Sequence, residues 1–177
     1  VEVPADVAQD SSGNGNEASS SLVTFDTTRP SLAITSSADP ANGPFTATFT
    51  FSEAVTGFEA SDITITNGTA GSWSTSDNIT YTTTITPTTS FTGSLTLDVF
   101  ENLAEDSAGN GNTPASQRTI AVDQSRPSVS VSVPSGPANV PFTATFTFSE
   151  VVTGFEASDI NLTNGTLSNF TEVSPGV

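Results

Sequence analysis

The chain has 177 residues and carries 19 acidic side chains against three basic ones, a formal charge of −16. Such a charge repels nucleic acid and anionic membranes and attracts divalent cations, whose hard charge prefers carboxylate and carbonyl oxygen. Cysteine, methionine and histidine are absent, which excludes a disulfide framework, thiolate chemistry and imidazole ligands, and no apolar run reaches the roughly 18 residues of a membrane span.

Internal repetition sets the frame. Asp10–Asn16, DSSGNGN, returns as Asp106–Asn112, DSAGNGN. The linker Asp26-Thr27-Thr28-Arg29-Pro30-Ser31 returns as Asp123-Gln124-Ser125-Arg126-Pro127-Ser128. Pro44–Ile63 returns as Pro141–Ile160 with one difference, Ala54 against Val151. The offset is 96 residues for the first pair and 97 for the other two, so one residue is inserted or lost between them. Residues 1–26 are therefore expected to be the C-terminal part of a first repeat, 27–123 a complete repeat, and 124–177 the N-terminal half of a further one. Val177 aligns with Thr80, which predicts a last module that stops mid-fold in a chain cut from a longer one. A period of about 97 residues is the size of a small domain and too long for a solenoid turn.

Within the complete repeat, Leu32 and Ile34 predict a first strand over 32–35. The next, over 45–52, alternates without a fault: Phe45, Ala47, Phe49 and Phe51 face one side and threonines the other, the pattern of a strand with one buried face. Later apolar alternations predict strands over 62–67, 72–75, 78–86, 94–100 and 117–123. Trp73 aligns with Phe170, so an aromatic at that place is expected to fill the core. Gly, Asn, Asp and Pro mark the turns, and no stretch has a helical period. Seven short strands in about 97 residues predict an all-β chain of immunoglobulin-like β-sandwich modules in tandem.

In that topology the linker, the loop after the second strand and the loop between the last two strands lie at one end. Asp26 is in the linker, Glu53 and Asp62 flank the second-to-third strand loop, and Asp106, Asn110 and Asn112 lie in the last loop. Asp123, Glu150 and Asp159 hold the corresponding places in the third repeat, and Asp10, Asn14 and Asn16 in the first. Oxygen ligands at this density suit Ca²⁺, which takes six to eight. A bound ion would tie linker to loops and stiffen the junction between modules. The same residues also read as turn formers: Asp-Ser-Ala-Gly-Asn makes an Asx-type turn, and Glu53 caps a loop or faces water. The EF-hand spacing is missing.

Phe51-Ser52-Glu53-Ala54-Val55-Thr56-Gly57-Phe58, Ser61-Asp62-Ile63, Asp106–Asn112 and the linker Asp123…Arg126-Pro127 together resemble the bacterial Ig-like repeats of large surface and adhesin-type proteins. The resemblance covers essentially the whole chain. It implies Ig-like sandwiches strung in extracellular or cell-surface arrays, with calcium at the junctions. The function it implies is that of a structural spacer, a stalk that holds other domains away from the cell. Partners would be neighbouring Ig-like modules of the same chain, with host or surface glycan or protein engaged through other domains. The alternative is that the modules themselves bind a glycan or protein partner, multivalently. Near-identity of Pro44–Ile63 and Pro141–Ile160 suits a spacer, which needs copies more than distinct surfaces. The Arg in each linker departs from the usual small or neutral residue, and is expected either to weaken metal binding or to pair with a carboxylate.

Arg29 and Arg126 read as solvated charges or as anchors between modules. Sequons at Asn67, Asn78, Asn161, Asn164 and Asn169 are what chance provides in a Thr-rich chain. Thr46, Thr48 and Thr50 read as the solvent side of a strand before they read as a recognition face. The chain is not expected to be an enzyme: it has no His, Cys or Lys, and every candidate acid recurs in successive modules.

Overall fold

The computed structural model describes residues 1–173. Among these residues eleven strands run in chain order: β1 Glu2–Val3, β2 Ser19–Ser20, β3 Leu32–Ser36, β4 Phe45–Phe51, β5 Ile63–Thr66, β6 Gly68–Thr75, β7 Thr80–Pro87, β8 Thr92–Val99, β9 Arg118–Asp123, β10 Val129–Ser132 and β11 Thr145–Phe148. Two short 3₁₀ turns, Ala60–Asp62 and Ala157–Asp159, precede Ile63 and Ile160. Contacts divide the chain into two units, Val1–Gln124 and Ser125–Val177. Among the described residues no helix is long and apolar enough to cross a membrane.

In the first unit the alternation of β4 becomes packing. Phe45, Ala47, Phe49 and Phe51 are buried, while Thr46 and Thr50 are exposed and Thr48 half-buried. β4 pairs antiparallel with β3 and β7, and β6 extends the sheet in the order β3-β4-β7-β6. A second sheet, β5-β8-β9, lies across the core from it. These are the two layers of a seven-stranded immunoglobulin-like sandwich. Ile85 from the first layer and Leu95, Leu97 and Ile120 from the second are wholly buried between them. Each such side chain contributes about 1.5–3 kcal/mol on leaving water.

One end of this core is aromatic. The Phe58 ring lies 5.0 Å from Phe51, 5.2 Å from Tyr81, 5.3 Å from Trp73 and 5.9 Å from Phe49, each time edge-on. Such pairs contribute about 0.5–1.5 kcal/mol beyond their buried area. Tyr81 reaches through the cluster to donate its hydroxyl to the Val55 carbonyl at 3.2 Å.

The strand bounds shift from the sequence reading by up to four residues, and two of the shifts have a visible cause. The strand expected over 72–75 is β6, Gly68–Thr75, and it follows β5 across a single residue, Asn67, at φ 63°. Its first half has no alternation to read, and its register shifts between Ala70 and Trp73. Gly68 sits where a Cβ would meet the Leu95 methyl at 2.8 Å and the Thr86 carbonyl at 3.1 Å, so the packing there selects against a side chain. The strand expected from 78 begins at Thr80, because Asp77 Oδ1 accepts the N–H of both Ile79 (2.9 Å) and Thr80 (2.7 Å) and holds a turn.

Before the sandwich, β1 and β2 close a hairpin, Glu2 opposite Ser20 and Val3 opposite Ser19. In the second unit β10 and β11 pair from Val129↔Phe148 to Ser132↔Thr145. The aromatic arrangement recurs there: Phe155 lies 5.5 Å from Phe146, 5.1 Å from Phe148 and 5.6 Å from Phe170. Phe170 thus stands in the place of Trp73. Val177, aligned with Thr80 in sequence, lies outside the described residues.

Candidate metal centre

The loop from β8 to β9 is built around two side chains. Asp106 Oδ1 accepts the N–H of Ala108 at 2.8 Å and of Asn110 at 2.9 Å, and Oδ2 accepts Asn110 Nδ2 at 2.9 Å. Gly109 donates its N–H to the Asp106 carbonyl at φ 85°, a left-handed position that glycine takes without strain. This is an Asx-type turn. The Asn110 side-chain amide foremost, and then the backbone amides, hold the Asp106 carboxyl below its ordinary range against the opposing effect of burial. Asn112 plugs the base of the loop. It is wholly buried; its Oδ1 accepts the N–H of Leu103 and Ala104, and its Nδ2 donates to the carbonyls of Phe100 and Thr113.

Two further segments bring carboxylates to this loop. Glu53 comes two residues after β4, and Asp26 comes from the linker. Carboxylate oxygens of Asp26, Glu53 and Asp106 lie within 4.8 Å of one another. Asp26 Oδ1 accepts the Thr28 N–H at 2.9 Å, and its carbonyl accepts Asn110 Nδ2 at 3.2 Å. Glu53 makes no hydrogen bond or ion pair among the described residues. Three like charges at this spacing repel one another. The donor set is hard oxygen throughout, the chemistry of a Ca²⁺ site. Among the described residues no other group of three acidic side chains converges in this way.

A family model described as Bacterial Ig-like domain matches residues 26–122 and again 123–177. The chain belongs to that family. No curated protein matches it. Bacterial Ig-like domains are structural modules, typically extracellular or at the cell surface.

The bacterial Ig-like module gathers only part of the ligand set expected from its sequence. Asp62 stays out of the cluster because its Oδ2 accepts the Glu59 N–H at 2.8 Å and closes the 3₁₀ turn. Asn112 does not serve as a ligand, since all its polar atoms are committed inside the loop. Asn110 touches the cluster with its Nδ2, a donor. Asp123 closes β9 at the opposite end of the sandwich, where it accepts from Thr92 Oγ1 at 3.2 Å. In the second unit Asp159 repeats the cap of Asp62, accepting the Glu156 N–H at 2.8 Å, and Glu150 is exposed.

Arg29 is the functional residue the sequence reading left undecided. Among the described residues it forms no ion pair with the three carboxylates. Its Nε donates to the Gly111 carbonyl at 2.7 Å, and its Nη2 to the Asn112 carbonyl (2.7 Å), Asn102 Oδ1 (2.8 Å) and Glu101 Oε2 (3.1 Å). The expected pairing with a carboxylate is found, to Glu101, and the further bonds to the loop carbonyls make this still partly solvated side chain an anchor within one module. No local pattern pointed to it, because its acceptors lie 72–83 residues away in sequence.

Proposed function

We propose that this chain is a spacer segment of a bacterial cell-surface or secreted adhesin, stiffened by calcium at its linker. The observation that carries the reading is the meeting of Asp26, Glu53 and Asp106 from three separate segments at the end where the linker joins the module. These three carboxylates would hold the ion; carbonyl oxygens and water would complete its shell. Calcium supplies charge neutralisation there, and nothing chemical is transformed. Without it the three carboxylates repel one another and weaken the linker's hold on the loops; with it that hold tightens and the junction stiffens. Acidic modules repeated with little variation suit a stalk, whose work is length and stiffness.

The test is thermal unfolding of the whole chain in EGTA and in millimolar calcium. Binding to the folded state alone stabilises by about 2.7 kcal/mol at a hundredfold excess over Kd, or roughly 10 °C for a domain of this size. Calcium should give that rise, and Glu53→Ala with Asp106→Ala should remove it. Asp62→Ala should lower the melting temperature in EGTA and leave the calcium increment intact, since Asp62 caps a turn. An identical melt in EGTA and calcium overturns the reading.

A further inference from the structure

We infer that Arg29 is the positioning residue of the junction: it fastens the linker Asp26–Pro30 to the 101–112 loop of the module that follows, so that Asp26 is held beside Glu53 and Asp106 before any cation arrives. The chain has three basic residues in all, and Arg29 reaches this loop from the linker. A guanidinium presents five donors in a rigid planar fork, and here the three on Nε and Nη2 are shared among four oxygens. Two of them are consecutive backbone carbonyls, Gly111 and Asn112. Their positions are set from below by the wholly buried Asn112 side chain. A third, Asn102 Oδ1, packs over Gly111 so closely that a Cβ there would collide with it. The receptor for the guanidinium is thus preformed by the loop.

The linker is held on both sides of Arg29. After it, the Pro30 carbonyl accepts the Thr113 N–H at 2.8 Å, and the Pro30 ring is buried. Before it, the Asp26 carbonyl accepts Asn110 Nδ2. Arg29 joins these weaker contacts into one patch. The ion pair with Glu101 is a small part of this, since both side chains are substantially exposed, at 38% and 55%, and exposed pairs contribute little. The carbonyl bonds and the planar fork carry the effect. Lysine, a point charge on a flexible stem, reproduces only part of it.

This role leaves the carboxylate cluster uncompensated. Arg29 follows Asp26 by three residues in the linker, and its own charge goes to Glu101 and the loop carbonyls. The linker is therefore ordered without the negative cluster being neutralised. The calcium consequence rests on the function proposed above; the ordering of the linker does not.

Amide hydrogen exchange of the whole chain in EGTA decides the ordering. Thr113 N–H is the reporter, because its acceptor is the linker carbonyl of Pro30. Arg29→Gln should speed exchange at Thr113 about tenfold or more while Leu97 and Ile120 in the core stay protected. Arg29→Lys should fall between wild type and Arg29→Gln, and it decides alone if Arg29→Gln does not fold. Glu101→Gln should leave Thr113 within about twofold of wild type. Unchanged exchange at Thr113 in both Arg29 variants overturns the inference, as does a Glu101→Gln effect equal to that of Arg29→Gln, which would reduce Arg29 to an ordinary ion pair. Calorimetry with calcium then separates the two claims. If wild type binds calcium, Arg29→Lys should weaken it about fivefold, and equal affinity breaks the link between clamp and metal. If wild type binds none, the calcium reading fails while the exchange result still judges the clamp.

Discussion

Residues 4–17 and 100–113 are one loop in two settings. Asn16 Oδ1 accepts from Val7 and Ala8 at 3.0 and 2.8 Å; Asn112 Oδ1 accepts from Leu103 and Ala104 at 2.8 and 2.9 Å. Asp10 Oδ1 accepts from Ser12 and Asn14, as Asp106 Oδ1 does from Ala108 and Asn110. Gly13 and Gly109 share φ 85°, and Asp6 and Asn102 sit at φ 60° and 61°. The first copy carries only the two-residue strands β1 and β2 at its base; the second is enclosed by a sandwich. Fourteen residues are thus enough to specify the turn. What they do not specify is burial or company. Asp106 and Asn112 are buried while Asp10 is exposed, and only Asp106 meets two further carboxylates. The turn is a local product, and the candidate metal centre is a tertiary one.

The largest test of this contrast is Asn112→Ala against Asn16→Ala. Removing Asn112 leaves buried amides and carbonyls without partners, and each such group costs about 1–3 kcal/mol. Urea denaturation followed at Trp73 should show a loss of about 3 kcal/mol for Asn112→Ala and under about 0.5 kcal/mol for Asn16→Ala. Equal losses would mean that the exposed loop is coupled to the core after all. Calcium gives a narrower contrast. Asp106→Ala should abolish the calcium-induced rise in melting temperature, while Asp10→Ala leaves all of it. If both single variants reduce the rise, the ion is bound by the turn itself, and Asp26 and Glu53 are bystanders.

Where physical signals were periodic and local, the sequence was readable. The Phe-Thr alternation of β4 named its buried face residue by residue, and the Asp-Ser-Ala-Gly-Asn run named its turn. The convergence of Asp26, Glu53 and Asp106 was also legible, because an immunoglobulin-like topology assigns each strand end to one pole. The rest depended on where single side chains turn. Asp62 has the right position for a ligand and spends its carboxylate on the Glu59 amide. Asn112 has ligand chemistry and is consumed by four backbone groups. Arg29 and Arg118 find partners about 80 residues distant: Arg118 Nη2 donates to Asp39 Oδ2 at 2.9 Å, beside the Ala121 amide that donates to Asp39 Oδ1. No periodicity encodes such pairings.

The smallest contrast lies in acid. Asp106 and Asp10 both have carboxyls held below their ordinary range, and in both the first cause is the side-chain amide of the Asn four residues on. A carboxyl so lowered binds its proton more weakly folded than unfolded. Its stabilising contribution is present above the unfolded value near pH 4 and is lost as pH falls through the lower folded value. The two loops should nevertheless report differently. Protonating Asp106 loosens a loop on which the linker and both sheets depend, whereas protonating Asp10 loosens only the hairpin of β1 and β2. Asp106→Asn should therefore be less stable than wild type at pH 7 and should lose less on going from pH 5 to pH 2.5, with fluorescence of Trp73 as the readout. Asp10→Asn should overlay wild type. Some acid dependence will survive in both, because Asp77, lowered by the amides of Thr80 and Ile79, titrates in the same direction. A slope for Asp106→Asn equal to wild type would place the acid sensitivity of the module at Asp77 and its turn, and would leave the two Asx loops equivalent in this respect.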